Sequence, residues 1–244
     1  MNRFILIKAG STYPNIARKY GDFEDWTCKG LGVDPKLLSI IEIQNDHKLP
    51  DPKKCSGVVV TGSHSMVTDG YDWIGYLSEW VGKLVDCQIP FLGICFGHQL
   101  LAKSCGGSVD YHPRGKEIGT VDIDLLPASS TDRLFGGFPN RFRVHVTHSQ
   151  TVLSLPTSAI RLAANTFDSC QAIRIGDSAW GVQFHPEYKT EVLKAYIDEQ
   201  VQELSDGGQN ILQIYGTVRE TPHAACILSR FTKVVTENLK HGIK

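Results

Sequence analysis

The chain has 244 residues, 41% of them hydrophobic and 21% charged, which suits one compact domain, or one domain with an appendage, and is ample for a large core. Lys plus Arg (25) nearly cancels Asp plus Glu (26), so there is no electrostatic footprint for nucleic acid or for an anionic membrane, and small-molecule or protein partners are favoured. No apolar stretch approaches the roughly 20 residues of a membrane span, and MNRFILIKAG carries no signal-peptide apolar region or cleavage site.

Phe4–Lys8 (FILIK) and Gly57–Thr61 (GVVVT) predict the first two strands. Trp73, Tyr76, Leu77, Trp80, Val81 and Leu84 then recur at three- and four-residue spacing, an apolar stripe along a helix in which Trp73 and Trp80 are core rather than a ligand platform. Further strands are predicted at Pro90–Ile94, Thr120–Leu125, Arg141–Thr147, Ile160–Ala164 and Trp180–Phe184, several reading as the continuous apolar runs of strands buried on both faces. Val192, Leu193, Tyr196, Ile197, Val201 and Leu204 form the apolar face of a second helix. After Ser205, DGGQN marks a turn and Pro222 to His241 reads as another helix, where Lys233, Lys240 and Lys244 make a solvated face. Strands alternating with helices predict an α/β fold, an open and largely parallel sheet with helices on both faces. The domain is expected to span residues 1–205, with 206–244 a helical C-terminal extension packed on it or appended to it. In such folds ligands sit beyond the carboxyl ends of the strands, so the residues after each strand are where chemistry is sought.

Seven cysteines with no C-x-x-C pair argue against a disulfide framework or a zinc knuckle and for a reducing cytoplasm. One of them stands apart. In PFLGICFGHQLLA, Cys95 follows an apolar run, is held between Gly93 and Gly97, and leads straight into helix-forming residues. That is the G-x-nucleophile-x-G spacing of a strand-to-helix elbow, where glycines let neighbouring backbone approach and the side chain is presented outward. A helix amino terminus at the same place favours thiolate over thiol.

A thiolate nucleophile needs a base. In WGVQFHPEY, His185 follows a predicted strand and Pro186 biases it toward extended backbone. Glu187, two residues on, then points to the same side and can orient the imidazole. Cys95, His185 and Glu187 together predict acyl transfer through a thioester, with a carboxylate-oriented histidine as base. The oxyanion would be held by the amide of Phe96 and, from the Thr61-Gly62-Ser63 turn, by that of Gly62. His145 and His148 have H-x-x-H spacing, but positions three apart on a strand face opposite sides, so no metal and no cofactor is expected.

PFLGICFGHQLLA, the TGS turn, THSQTV and GVQFHPE, in that order, resemble class I glutamine amidotransferases, and most of all the glutaminase portion of GMP synthases. The likeness is strong from about Cys55 to Ser205. It implies that Cys95 attacks a glutamine side-chain amide and that His185 protonates the departing ammonia and then activates water. It also implies that Ser63, Gln99, Ser149 and Gln150 hold the substrate. The sequence departs from the family at Gln150, where an aspartate is usual. With no synthetase segment and no phosphate loop, an ammonia acceptor would be a separate synthetase subunit. The alternatives are a γ-glutamyl peptidase or hydrolase acting on larger γ-glutamyl compounds, and a non-catalytic binding protein, against which the intact Cys95, His185 and Glu187 speak.

Overall fold

The computed structural model describes residues 3–45 and 48–241; Lys244 lies outside them. In chain order the elements are β1 (Arg3–Lys8), α1 (Pro14–Tyr20), α2 (Phe23–Leu31), β2 (Leu38–Glu42), β3 (Cys55–Val60), α3 (Asp72–Asp86), β4 (Phe91–Ile94) and α4 (Phe96–Ser104). There follow β5 (Ser108–Tyr111), β6 (Glu117–Leu125), β7 (Arg141–His148), β8 (Gln150–Ser154), β9 (Ala159–Ala164), β10 (Ala172–Ile175) and β11 (Ala179–Val182). Helices α5 (Thr190–Glu199), α6 (Val201–Asp206), α7 (Ile211–Thr217) and α8 (Pro222–His241) close the chain.

The main sheet has the order β2-β1-β3-β4-β11-β10-β9-β6-β7. The five strands from β2 to β11 pair in parallel, whereas β10, β9, β6 and β7 continue the sheet with antiparallel pairings. Only β6 and β10 run against the common direction. The fold is therefore the open, helix-covered α/β sheet that the sequence implies. Period-two alternation divides its core. Ile5, Ile7, Val58 and Val60 pack under α3 and α4 on one face. Phe4, Leu6, Val59 and Leu92 pack on the other face with Ala224, Leu228 and Phe231 of α8.

Several boundaries differ from the sequence reading. Strand β6 starts at Glu117, three residues early. The second amphipathic segment is two helices, because Gln200 leaves the helical basin at φ −108°, ψ 7°. Leu204 still reaches the core, but Val201, assigned to the same apolar face, is 39% exposed. Tyr76 likewise turns out of its stripe and is 41% exposed. Strands β2, β5, β8 and β10 have no counterpart in the sequence reading; β2 lies at the sheet edge and β5 pairs only with β8.

Candidate active site

Three neighbouring parallel strands, β3, β4 and β11, bring Gly62, Cys95 and His185 to one edge of the sheet. Cys95 caps the start of α4 at φ 49°, ψ −98°, a conformation costing a non-glycine residue on the order of 1–3 kcal/mol. The flanking glycines explain how the turn closes. A Cβ on Gly93 would lie 2.2 Å from the carbonyl oxygen of Gly97, and one on Gly97 would lie 2.5 Å from that of Val60. The amide of Cys95 donates to Val182 O at 2.8 Å, which ties the elbow to β11. The amide of Phe96 opens α4 and has no acceptor within the helix.

His185 is anchored by its own amide, which donates to His145 O at 2.8 Å. Its Nδ1 lies 2.7 Å from Glu187 Oε1, both side chains being buried. Tyr188 stacks on the imidazole at 4.1 Å and 17°. Burial opposes charge on the ring, but Glu187 and Cys95 outweigh it and raise the pKa to about 10. Nε2 is left without a fixed hydrogen-bond partner in a cavity that Cys95 also lines. Gly62 lies close against the ring, since a Cβ there would be 3.0 Å from His185 Cε1 and would press on it.

The cavity holds about 310 Å³, and Ser63, Gln99, Ser149 and Gln150 all line it. Their free groups differ. The amide nitrogen of Gln99 donates to Gln150 O at 2.8 Å and to Gln183 Oε1 at 2.9 Å, so only Oε1 remains for a ligand. Gln150 donates through Nε2 to Thr68 Oγ1 at 2.6 Å, and its Oε1 is buried with no donor. Ser63 gives its hydroxyl proton to Ala9 O, which makes it a support of the turn first.

Behind Gln150 lies a second histidine–glutamate pair. His148 Nδ1 faces Gln150 O and Nε2 faces Glu117 Oε2, each at 2.9 Å. Both partners accept, so both ring nitrogens must donate and the ring is an imidazolium. Burial opposes this charge, but the hydrogen bond and charge of Glu117 raise the pKa. Glu117 also accepts from Asn165 and Gln171. His145 instead bonds Thr120, and burial lowers its pKa to about 4. The two histidines thus serve different networks, and among the described residues no group of His, Cys, Asp and Glu side chains is arranged for a metal.

The sequence reading does not contain the rest of the cavity wall. Tyr13 and Phe23 come from the first fifty residues, Lys116 precedes β6, and Tyr196, Gln200 and Glu203 come from α5, α6 and the break between them. His64 meets Tyr196, which bonds the buried Thr12, so a chain of three polar groups runs from the exposed His64 inward. None of these residues lies within a quoted motif, whereas Thr147 and His148 of THSQTV and Tyr188 of WGVQFHPEY also line the cavity.

The family model for class I glutamine amidotransferases matches residues 28–203. The chain belongs to this family. Relatives within it differ in what they are named for. Gamma-glutamyl peptidase 5 of Arabidopsis thaliana is 32% identical over 82% of this chain and 81% of its own length. A glutamine-hydrolyzing GMP synthase subunit from Pyrococcus abyssi is 31% identical over 66% of this chain and 80% of its own. Among solved structures, a glutamine amidotransferase from Thermotoga maritima superposes with a TM-score of 0.75 at 22% identity, covering 97% of this chain and all of that one. In this member of the family, the elbow at Cys95 stands at the same sheet edge as the buried His185–Glu187 pair.

Proposed function

We propose that the protein hydrolyses the γ-amide bond of γ-glutamyl compounds through a thioester on Cys95. The observation that carries this reading is a strained cysteine at an elbow sharing one cavity with a histidine whose Nδ1 is held by a buried glutamate and whose Nε2 is free. The raised pKa of His185 supports a resting imidazolium, a ring already carrying the proton that a leaving amine needs. The Cys95 thiolate attacks the γ-carbonyl, and the amides of Phe96 and Gly62 hold the oxyanion. His185 gives its proton to the departing amine, then as neutral imidazole takes one from the water that cleaves the thioester. Glu187 keeps the ring in register. The orphaned Oε1 of Gln150 is an acceptor for the substrate α-ammonium, and Gln99 offers Oε1.

Peptide-like γ-glutamyl substrates are favoured by the extent of the match to gamma-glutamyl peptidases, over most of both chains. The match to GMP synthase subunits favours a second reading, a glutaminase that passes ammonia to a separate synthetase subunit. Seven free thiols suit a reducing compartment such as the cytoplasm. Intact-mass spectrometry after incubation with glutamine and with γ-glutamyl dipeptides tests the chemistry. A glutamyl adduct mapped to Cys95 and absent from Cys95→Ala is expected; no adduct with any of these compounds, or one that persists in Cys95→Ala, overturns the proposal. Ranking kcat/KM across the same compounds separates peptidase from glutaminase.

A further inference from the structure

Lys116 is a cation built into the wall of the candidate site. Its Nζ donates to Gln200 Oε1 at 2.6 Å and pairs with Glu203 Oε1 at 2.6 Å, and its backbone carbonyl is held by Gln209 Nε2. An ammonium has three donors. Two are used, and among the described residues no third acceptor is present. The two ends of the ion pair are unequally held: the side chain of Lys116 is 16% exposed and that of Glu203 60%. Glu203 also sits on the short helix α6, so its carboxylate can leave at little cost, since a largely solvated ion pair contributes little.

Lys116 is also the one Lys or Arg among the described residues that line this cavity. The other fixed cation there, His148, has both N–H groups committed. The open side-chain oxygens of Gln99 and Gln150 are acceptors, and Ser149 offers only a neutral hydroxyl. A γ-glutamyl compound carries an α-carboxylate, and a second carboxylate where the leaving group is an amino acid. Neither can bind to the acceptors. The cavity is furnished for the ammonium of such a ligand by Gln150 and for a carboxylate by Lys116.

We propose that Lys116 is a carboxylate-binding subsite whose resting occupant is Glu203, and that a substrate carboxylate displaces Glu203 from it. This rests on the γ-glutamyl reading above. No bond is made or broken; one anion exchanges for another, and Gln200 holds the ammonium in place meanwhile.

The exchange has a signature that a structural strap between β6 and α6 lacks, because the two partners must act with opposite sign. Calorimetric titration of the full chain carrying Cys95→Ala is the measurement, with γ-glutamylglycine and γ-glutamylethylamide as ligands. In that background Lys116→Met weakens γ-glutamylglycine by about tenfold, the scale of one charge-assisted hydrogen bond, while Lys116→Arg retains most of the affinity. Glu203→Gln, which removes the competing anion, tightens it. An equal loss for the ethylamide assigns the α-carboxylate to Lys116; a loss confined to γ-glutamylglycine assigns the carboxylate of the leaving group. Unchanged affinities in Lys116→Met, or weakening by Glu203→Gln as well, overturn the subsite. If wild type forms the Cys95 adduct while these affinities stay unchanged, the subsite alone fails. If neither adduct nor binding is found, both proposals fail.

Discussion

His185 and His148 are both buried, both paired with a glutamate and both raised in pKa, yet they stand in opposite relations to the cavity. His185 is held through Nδ1 alone and keeps Nε2 free. His148 is held through both nitrogens, by Glu117 and by the carbonyl of Gln150. A proton can enter and leave through a free nitrogen, whereas a ring bonded at both ends can only stay charged. The difference teaches that the acid–base role follows from an uncommitted nitrogen and not from the presence of a histidine–glutamate pair. His148 is then tied at both ends beside the strand carrying Gln150, while His185 is the ring whose geometry leaves a nitrogen open to the cavity.

The largest expected effect follows from removing the free nitrogen. His185→Asn lowers turnover of any γ-glutamyl substrate by at least about a hundredfold, with the melting temperature little changed. Stopped-flow or ammonia-release assays together with calorimetry check this. Turnover within tenfold of wild type would break the comparison, since His185 would then be dispensable.

The committed ring should answer in stability first. Glu117→Gln leaves a buried imidazolium without its anion, at a cost of about 3 kcal/mol, or roughly 6–12 °C in Tm for a chain of this size. The sign with pH is fixed by the direction of the shift. A raised folded-state pKa stabilises fully below the ordinary imidazole value of 6.5, and that contribution is lost as pH rises through the raised value. The Tm gap between wild type and Glu117→Gln is therefore widest below the ordinary value of 6.5 and narrows as pH rises through the raised value. Cys95, Asp168, Glu117 and the neighbouring His98 face this ring. His98 itself, pushed down to about 4 chiefly by burial, stays neutral across that window. A gap that widens with pH would show that His148 is neutral in the folded protein.

A smaller effect is expected from Glu187→Gln, which keeps the base and loosens its orientation. The stacked Tyr188 still pins the ring, so a loss of about tenfold in kcat is expected, less than for the base itself. Loss of the charge of Glu187 also lowers the pKa of His185, because that charge helps to raise it. The basic limb of the kcat/KM profile, where the imidazolium loses its proton, should move to lower pH with it, and an unmoved limb would assign the raised pKa to Cys95 alone.

How much of this was legible beforehand depends on how local each feature is. Cys95, His185 and Glu187 announce themselves because the elbow and the Pro-stiffened segment are each a few consecutive residues, and parallel pairing of β4 with β11 does the rest. Lys116, Gln200, Glu203, Tyr13 and Tyr196 reach the cavity from three distant stretches, and no local pattern marks a lysine as half of an ion pair across 87 positions of chain. Glu117 conceals the true start of β6: a carboxylate reads as a loop residue until its buried partners His148, Asn165 and Gln171 are known. The break at Gln200 is equally silent, because Val201 and Leu204 continue the helical period while the backbone does not.

The finest test concerns Gln150, which lines the cavity in front of the His148 network. Its carbonyl accepts from His148 and Gln99, and its side-chain Oε1 has no donor. In the free protein that oxygen is desolvated without compensation, so an arriving α-ammonium gains a bond that water does not already supply. Gln150→Asp replaces the neutral acceptor with a charged one, and a charge-assisted bond is roughly twice as strong as a neutral one. The shorter side chain also gives up the bond to Thr68, and the buried carboxylate must be stabilised by the His148 cation behind it. The net expectation is a fall of about threefold in KM for glutamine with kcat unchanged. Dipeptides share the same α-ammonium, but contacts on the leaving-group side already fix their pose, so their KM falls less. If Gln150→Asp instead raises KM for both substrates, Oε1 does not receive the ammonium, and the His148 network serves to hold the strand in shape without preparing it for a ligand.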